Sequence, residues 1–565
     1  MTILAQQVAQ TIDVPQFAWA AISPHLVLFG MGILVLLLET AGDRRVPVSF
    51  MAAGALIAGA VFAGYQTDEK TLPAIVALVA VATAALTWIW RDRPRMLSAI
   101  LTGFGFVGAA AAAAWQWVAY SGGLLAVPSE GDTAYPLVRS ASVIGDMVAI
   151  DGVSLFTIFT ICVAGLLTVP LGYAYADSRR MHRGEYYPLL LFASTGMALL
   201  GASADFIMVF ISVEILSLSL YILTAFARRD LVSQEAAFKY FLLGAFSSAL
   251  LLYGIAVAYG VAGTTNIARV GAAFAALDAP QTLVLAAMAL LLVGFGFKTA
   301  IVPFHMWTPD VYQGAPTPVT GFMAAATKAA AFAAFVRVFV GALGGLQWSW
   351  VPVFWVLAVL TMLVGAVLAV VQRDIKRMLG YSAIAHAGYL LLGLTAVSRE
   401  GVSSVLLYLM IYGITSVGAF GVLSLFERRT SKAMALDDLR GLGRRYPVPS
   451  VMLALFLLSL AGIPGTAGFI AKLAVFRSAM QAEQEVLVIA AILSSVIAFV
   501  FYLRVIVAMF MEETEEGEEE GPELVATTGQ SAGLGLAAAA VIVLGIPPGV
   551  GLLIGLARQV ALFAG

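Results

Sequence analysis

Seven side chains in this sequence have the types and surroundings to handle a proton where no proton should be. Glu214 sits in DFIMVFISVEILSLSLYIL, Lys298 in LLVGFGFKTAIVPFHMW, Lys328 in GFMAAATKAAAF and Lys472 in GIPGTAGFIAKLAVF, each deep in an apolar run. Lys239, in EAAFKYFLLGAF, is about a turn from the end of its run, so its ammonium either reaches the interface or joins the others. His305 and His386 lie in or beside similar runs. An ionisable group at mid-membrane costs about 2.5 to 3.5 kcal/mol on insertion scales, so each needs a purpose or an escape. Arg337, Arg477 and Arg504 have an escape: they stand close enough to the ends of their runs for long stems to carry the charge to the interface.

Four lysines face one deep glutamate and cannot all pair with it, which weakens the reading of these groups as ion pairs that hold helices together. Burial disfavours an ammonium and a nearby carboxylate favours it, so moving Glu214 relative to a lysine would switch that lysine's protonation. A row of such groups is what a proton relay through a bilayer requires. Helix breakers stand beside them: Pro303 follows Lys298 by five residues, and Gly462, Pro464, Gly465 and Gly468 precede Lys472. Proline removes a donor and glycine loosens the turn, and unwound backbone at membrane depth is tolerated only against protein or a hydrated cavity. An imidazole with a pKa near 6.5 passes protons readily. His305, beside the break, reads as a relay; His386 reads first as a hydrogen-bonded core histidine and second as a relay.

The elements that must position these groups are membrane helices. The chain has 565 residues, 61% hydrophobic and only 11% charged, with mean hydropathy +0.96, against about 25% charged in soluble domains. That excludes a water-soluble protein. A net charge of -2 excludes the basic surface that nucleic acid needs. The single cysteine, Cys162, and four histidines (His25, His182, His305, His386) include no pair at ligand spacing, so neither a metal nor a cofactor is expected to bind, and no redox centre is predicted in this chain.

Windows long enough for a hydrocarbon core predict about sixteen transmembrane helices, near 24–41, 48–66, 71–90, 97–120, 149–174, 186–204, 205–226, 235–260, 281–304, 316–342, 349–371, 376–397, 402–426, 449–480, 484–510 and 533–563. The fold class is therefore all-α and polytopic. Loops after odd-numbered spans carry nineteen Lys/Arg and loops after even-numbered spans four. Lys/Arg-rich loops stay cytoplasmic, so the imbalance supports an even span count with both termini outside. The first residues lack the basic region of a signal peptide. The acidic run Glu512 to Glu523 reads as a solvated connector.

The stretches VEILSLSLYIL, EAAFKYFLLGAFSSALLLYG, GFGFKTAIVPFHMWTPDVYQGAPTPVTGFMAAATKAA, DIKRMLGYSAIAHAGYLLLGL and SLAGIPGTAGFIAKLAVF resemble the subunit N family of antiporter-like subunits in bacterial proton-pumping NADH-quinone oxidoreductase, respiratory complex I. The resemblance covers about 150 to 510. It implies a fourteen-helix fold with inverted repeats and two broken helices, and proton translocation across the bacterial inner membrane. Glu214 and Lys298 would form the pair with Lys239 near it, Lys328 the centre, His305 a relay, and Lys472 the residue on the second broken helix. NADH, FMN, iron-sulfur clusters and quinone would belong to partner subunits, membrane and peripheral. Against this pattern, 1–70 holds the N-terminal helices, 71–120 reads as an added hairpin, 149–510 as the translocating core, and 511–565 as the acidic loop and last helix. The same lysine and glutamate logic would also serve a subunit of a cation/proton antiporter.

Overall fold

In the computed structural model the described residues are 22–41, 83–90, 93–121, 141–277 apart from 144, 180, 182 and 183, 281–427, 434–513 and 526–546, with scattered single positions between them. Among them, eleven helices are long and apolar enough to cross a membrane, and three shorter apolar helices accompany them. The first helices are α1 (Ser23–Thr40) and α2 (Pro94–Ser121), which pack on each other and on α3 (Gly152–Ser178) and α4 (Tyr186–Gly201). Then come α5 (Phe206–Thr224), α6 (Leu231–Ala262), the short α7 (Ile267–Ala275), α8 (Thr282–Thr299) and α9 (Trp307–Gly314). A continuous helix α10 (Thr317–Ala342) is followed by α11 (Gln347–Val370), α12 (Ile375–Thr395) and α13 (Arg399–Phe426). The last four are α14 (Pro447–Ala461), α15 (Ala467–Gln481), α16 (Glu485–Met511) and α17 (Thr528–Val543). Nearly all of the predicted span 48–66, most of 71–82, the run 514–523 and both termini lie outside the described residues.

Short polar residues start the helices. Asp151, Asp205, Asp230, Asn266, Asp374, Ser398 and Thr527 each accept a hydrogen bond from a backbone N–H of the first turn, satisfying donors that have no partner inside the helix. Asp205 thereby splits what would be one apolar run at 186–226 into α4 and α5. A two-stranded hairpin, Ala141–Val143 with Val148–Ile150, precedes α3 and had no counterpart in the hydropathy pattern.

The core is the pair α10 and α13. Every residue from 315 to 340 and from 401 to 424 is buried, so these helices are apolar all round because protein surrounds them. By contrast α6, α11 and α16 present Phe246, Val356, Val496 and similar residues outward, as a lipid-facing surface must.

Two of the arginines expected to reach the interface do something else. Arg337 is buried and donates from both terminal nitrogens to Asp151 (2.8 and 2.7 Å) and from Nε to the Gly201 carbonyl at 2.6 Å. Asp151, which falls inside the predicted span 149–174, is the N-cap of α3; hydropathy cannot show that two helix ends meet. Arg504 donates to the carbonyls of Val370 and Gln372 at 2.8 and 2.7 Å, a cation closing the C-terminal end of α11. Arg477 is exposed.

Candidate functional site

The break after α8 is made by Ala300, whose positive φ of 62° ends the helix one residue after Thr299 and two after Lys298. The backbone groups freed there find protein partners: Val302 N–H donates to Thr361 Oγ1 at 3.0 Å and Trp307 Nε1 to the Phe297 carbonyl at 2.9 Å. This is how unwound backbone survives at membrane depth. Lys298 itself is 5% exposed. Its ammonium donates to Ser217 Oγ at 2.6 Å, one helical turn after Glu214 on α5. Glu214 Oε1 is buried without a hydrogen-bond partner. The predicted pair thus makes no direct ion pair, and the lysine is held instead by a hydroxyl of the helix that carries Glu214. The hydroxyls of Tyr221, Tyr240 and Ser212 are likewise buried and unsatisfied, so this region is far more polar than hydropathy suggests.

Lys328 begins the regular stretch of α10 that follows the π-helical turn Met323–Thr327. The ammonium crosses to the Ala383 carbonyl of α12. It also lies over the ring of Tyr412 on α13, 5.1 Å from the centroid. Tyr412 in turn packs on the imidazole of His386, centroids 4.8 Å apart. His386 is held between two phenols, with Nδ1 2.6 Å from Tyr408 Oη and Nε2 3.2 Å from Tyr502 Oη. Tyr502 also hydrogen-bonds Ser382.

Lys472 lies in the second turn of α15, after the break at 462–466. Its ammonium donates to the Ala461 carbonyl at 2.8 Å, the last residue of α14, and to Ser495 Oγ at 2.7 Å. A cation at the negative end of a half-helix is well placed. Gly462 makes room for it: φ is +85°, and a Cβ there would lie 2.8 Å from Lys472 Cδ. Lys472 also covers the ring of Tyr389, 5.0 Å from its centroid, and Tyr389 meets His386 edge-on at 5.7 Å. His386 therefore stands between Lys328 and Lys472, bracketed by Tyr412 and Tyr389.

The other two sequence-predicted residues sit apart. Lys239 pairs with Asp310 at 2.8 Å and Glu235 at 2.7 Å, so one lysine leaves the competition for Glu214. Asp310 is shared with Arg377, tying α9 to both α6 and α12. Burial pushes the Asp310 carboxyl up, but hydrogen bonds from Lys239 and Arg377 outweigh it and hold the group below the usual carboxylate range. His305 is half-buried and its Nδ1 has no hydrogen-bond partner. The residues the sequence reading missed are Ser217, Ser495 and the tyrosines at 389, 408, 412 and 502. The spacing of Tyr408 and Tyr412, four apart on a helix, was visible, but nothing in it says that His386 lies opposite.

Residues 203–498 match the model of the family described as NADH:quinone oxidoreductase/Mrp antiporter, transmembrane. A curated NADH-quinone oxidoreductase subunit N from a Parafrankia species is 40% identical over 97% of this chain and 96% of its own length. The subunit N of Rhodococcus opacus is 49% identical over 67% of this chain and 71% of its own. Among solved structures, a chain of respiratory complex I from Thermus thermophilus with bound aureothin superposes with a TM-score of 0.67 at 33% identity, covering 85% of this chain and 99% of that one. A chain of the Mrp complex from a Dietzia species shares the fold, with a TM-score of 0.70 at 23% identity over 93% and 97%. Identity of this degree over nearly the whole length, carried by a membrane fold that the complex I chain shares, means that the chain belongs to the NADH-quinone oxidoreductase subunit N family.

Proposed function

We propose that this chain is the membrane subunit of an NADH-quinone oxidoreductase that carries protons across the bilayer while NADH oxidation and quinone reduction proceed in partner subunits. The observation that carries the reading is the row of buried ammonium groups at Lys298, Lys328 and Lys472, none of them bonded to a carboxylate, with His386 between the last two. Lys298 and Lys472 stand at helix breaks, and Lys328 follows a π-helical turn. A lysine locked in a carboxylate pair keeps its proton, whereas one held by hydroxyls, carbonyls and rings can give it up. Glu214, one helical turn before the Ser217 that holds Lys298, supplies the charge whose displacement would set the first transfer. His305, beside the break and with Nδ1 unpartnered, is a further relay group in this scheme, whereas Lys239, paired with Asp310 and Glu235, keeps its proton and stands near the pair as a fixed charge.

Flavin, iron-sulfur clusters and quinone belong to the partners. Cation/proton exchange runs on the same fold, but the nearly full-length identity to subunit N supports the oxidoreductase. The test is proton pumping and NADH-quinone turnover in membranes carrying Glu214→Ala or Lys298→Ala, at matched complex content. Both rates are expected to fall severalfold or more with assembly retained. Normal rates in both variants would sink the reading.

A further inference from the structure

We infer that aromatic ring faces serve as the counter-charges of the relay lysines, and that Tyr412 is the positioning residue that does this for Lys328. The inference rests on the proposed relay and adds what stabilises its charged state. Lys298 lies over Tyr221, Tyr240 and Phe297 at 5.6, 5.5 and 5.7 Å from their centroids. Lys328 lies over Tyr412 at 5.1 Å and Lys472 over Tyr389 at 5.0 Å. Three deep ammoniums from three separate helices thus each meet at least one ring face contributed by another helix, Phe297 being the one ring from the lysine's own helix, within the distance at which the ring quadrupole attracts a cation.

Lys328 is the clearest case. Lys298 has Glu214 a turn beyond Ser217, and Lys472 has the end of a half-helix, but the ammonium of Lys328 has one mid-helix carbonyl, Ala383, and the ring of Tyr412. The titratable groups that face it from the packed elements are Tyr412 on α13 and, beyond that ring, His386 on α12. A ring face suits a relay better than a carboxylate does. It favours the ammonium without a full opposite charge, so it does not trap the proton, and it demands no charge of its own in the bilayer once the lysine is neutral. The Tyr412 ring also touches the imidazole, so one side chain fixes the spacing between donor and next acceptor.

Ring and hydroxyl can be separated. Tyr412→Phe keeps the face and Tyr412→Leu removes it. The assay is proton pumping against pH in membrane vesicles, with NADH oxidation by an artificial acceptor as the measure of assembled complex and Lys328→Ala as the reference. Without the ring face, Lys328 should load its proton only at lower pH. The alkaline limb of the pumping profile in Tyr412→Leu should therefore move acidward by about one unit, while Tyr412→Phe keeps the wild-type limb. Equal displacement in both variants would assign the role to the hydroxyl and overturn the inference, as would an unmoved limb in Tyr412→Leu. Normal pumping in Lys328→Ala would instead overturn the relay on which it rests.

Discussion

A lysine that relays must change its charge, and that separates it from one that only holds helices. Lys328 is buried in an alanine-rich stretch with a carbonyl and a ring as its neighbours. Arginine there would keep the positive charge and the attraction to Tyr412, yet it retains its proton beyond about pH 12 and cannot hand it on. Lys328→Arg is expected to pump no better than Lys328→Ala, by tenfold or more below wild type, although the complex assembles. Proton pumping at matched complex content measures this, and near wild-type pumping in the arginine variant would return Lys328 to a structural role. The same scale shows why the buried Arg337 belongs elsewhere. Its guanidinium holds both oxygens of Asp151 and a carbonyl besides, a fixed charge at a helix end, with nothing left to exchange.

The element that carries most mechanical consequence is α9, eight residues between the break at Lys298 and the central helix α10. It is tied down through one carboxylate: Asp310 takes Lys239 from α6 and Arg377 from α12. Lys376 adds a bond of 2.8 Å to the Ala315 carbonyl at the junction with α10. Because the Asp310 carboxyl is held below its ordinary range in the fold, its contribution is in place above the ordinary value of about 3.9 and is lost as pH falls through the lowered value. It is therefore constant around neutral pH. Asp310→Asn is expected to speed amide hydrogen exchange over residues 301–314 at neutral pH. Glu235→Gln, which leaves the Asp310 contacts standing, should change it little. Equal protection in Asp310→Asn and wild type would show that α9 is held by packing alone.

At the scale of the molecule, the described helices are arranged so that the charged row runs inside and the apolar faces of α6, α11 and α16 look out. Of the predicted extra hairpin, 71–120, the described second helix lies against this core. This helix, α2, packs on α1, α3 and α4, with the Phe106 ring set against Gly165 so closely that a Cβ there would lie 2.3 Å from it. Removing 71–120 takes out two spans together and should leave every later helix in its orientation, while exposing the faces of α1 and α3 and lowering the thermal stability of the complex. A cysteine introduced by Asp177→Cys, with the buried Cys162 silent, reports the orientation by labelling. Labelling from the outer side in the deletion variant would overturn the even span count.

Hydropathy and charge alone established a helical membrane protein, the places where helices break, and the residues that could carry protons, because each of these is local. An apolar run must be long enough to span, proline and glycine act on their own turn, and a buried charge stands out in any window. The motifs around Lys298, Lys328, His386 and Lys472 also carried the family. What the sequence could not decide is which charges meet. Asp151 and Arg337 are 186 residues apart, Lys239 and Asp310 71; both pairs arise from helix packing, which no periodicity encodes. For the same reason Lys239 read as a member of the relay or as a snorkelling cation, and emerged as the partner of Asp310. His386 read as a core histidine first, and the fold placed it between Lys328 and Lys472. Phenols count as neither charged nor strongly polar in a hydropathy window, so only the tertiary structure could show Tyr412 and Tyr389 under the two ammoniums, where direction and distance rather than composition set the interaction.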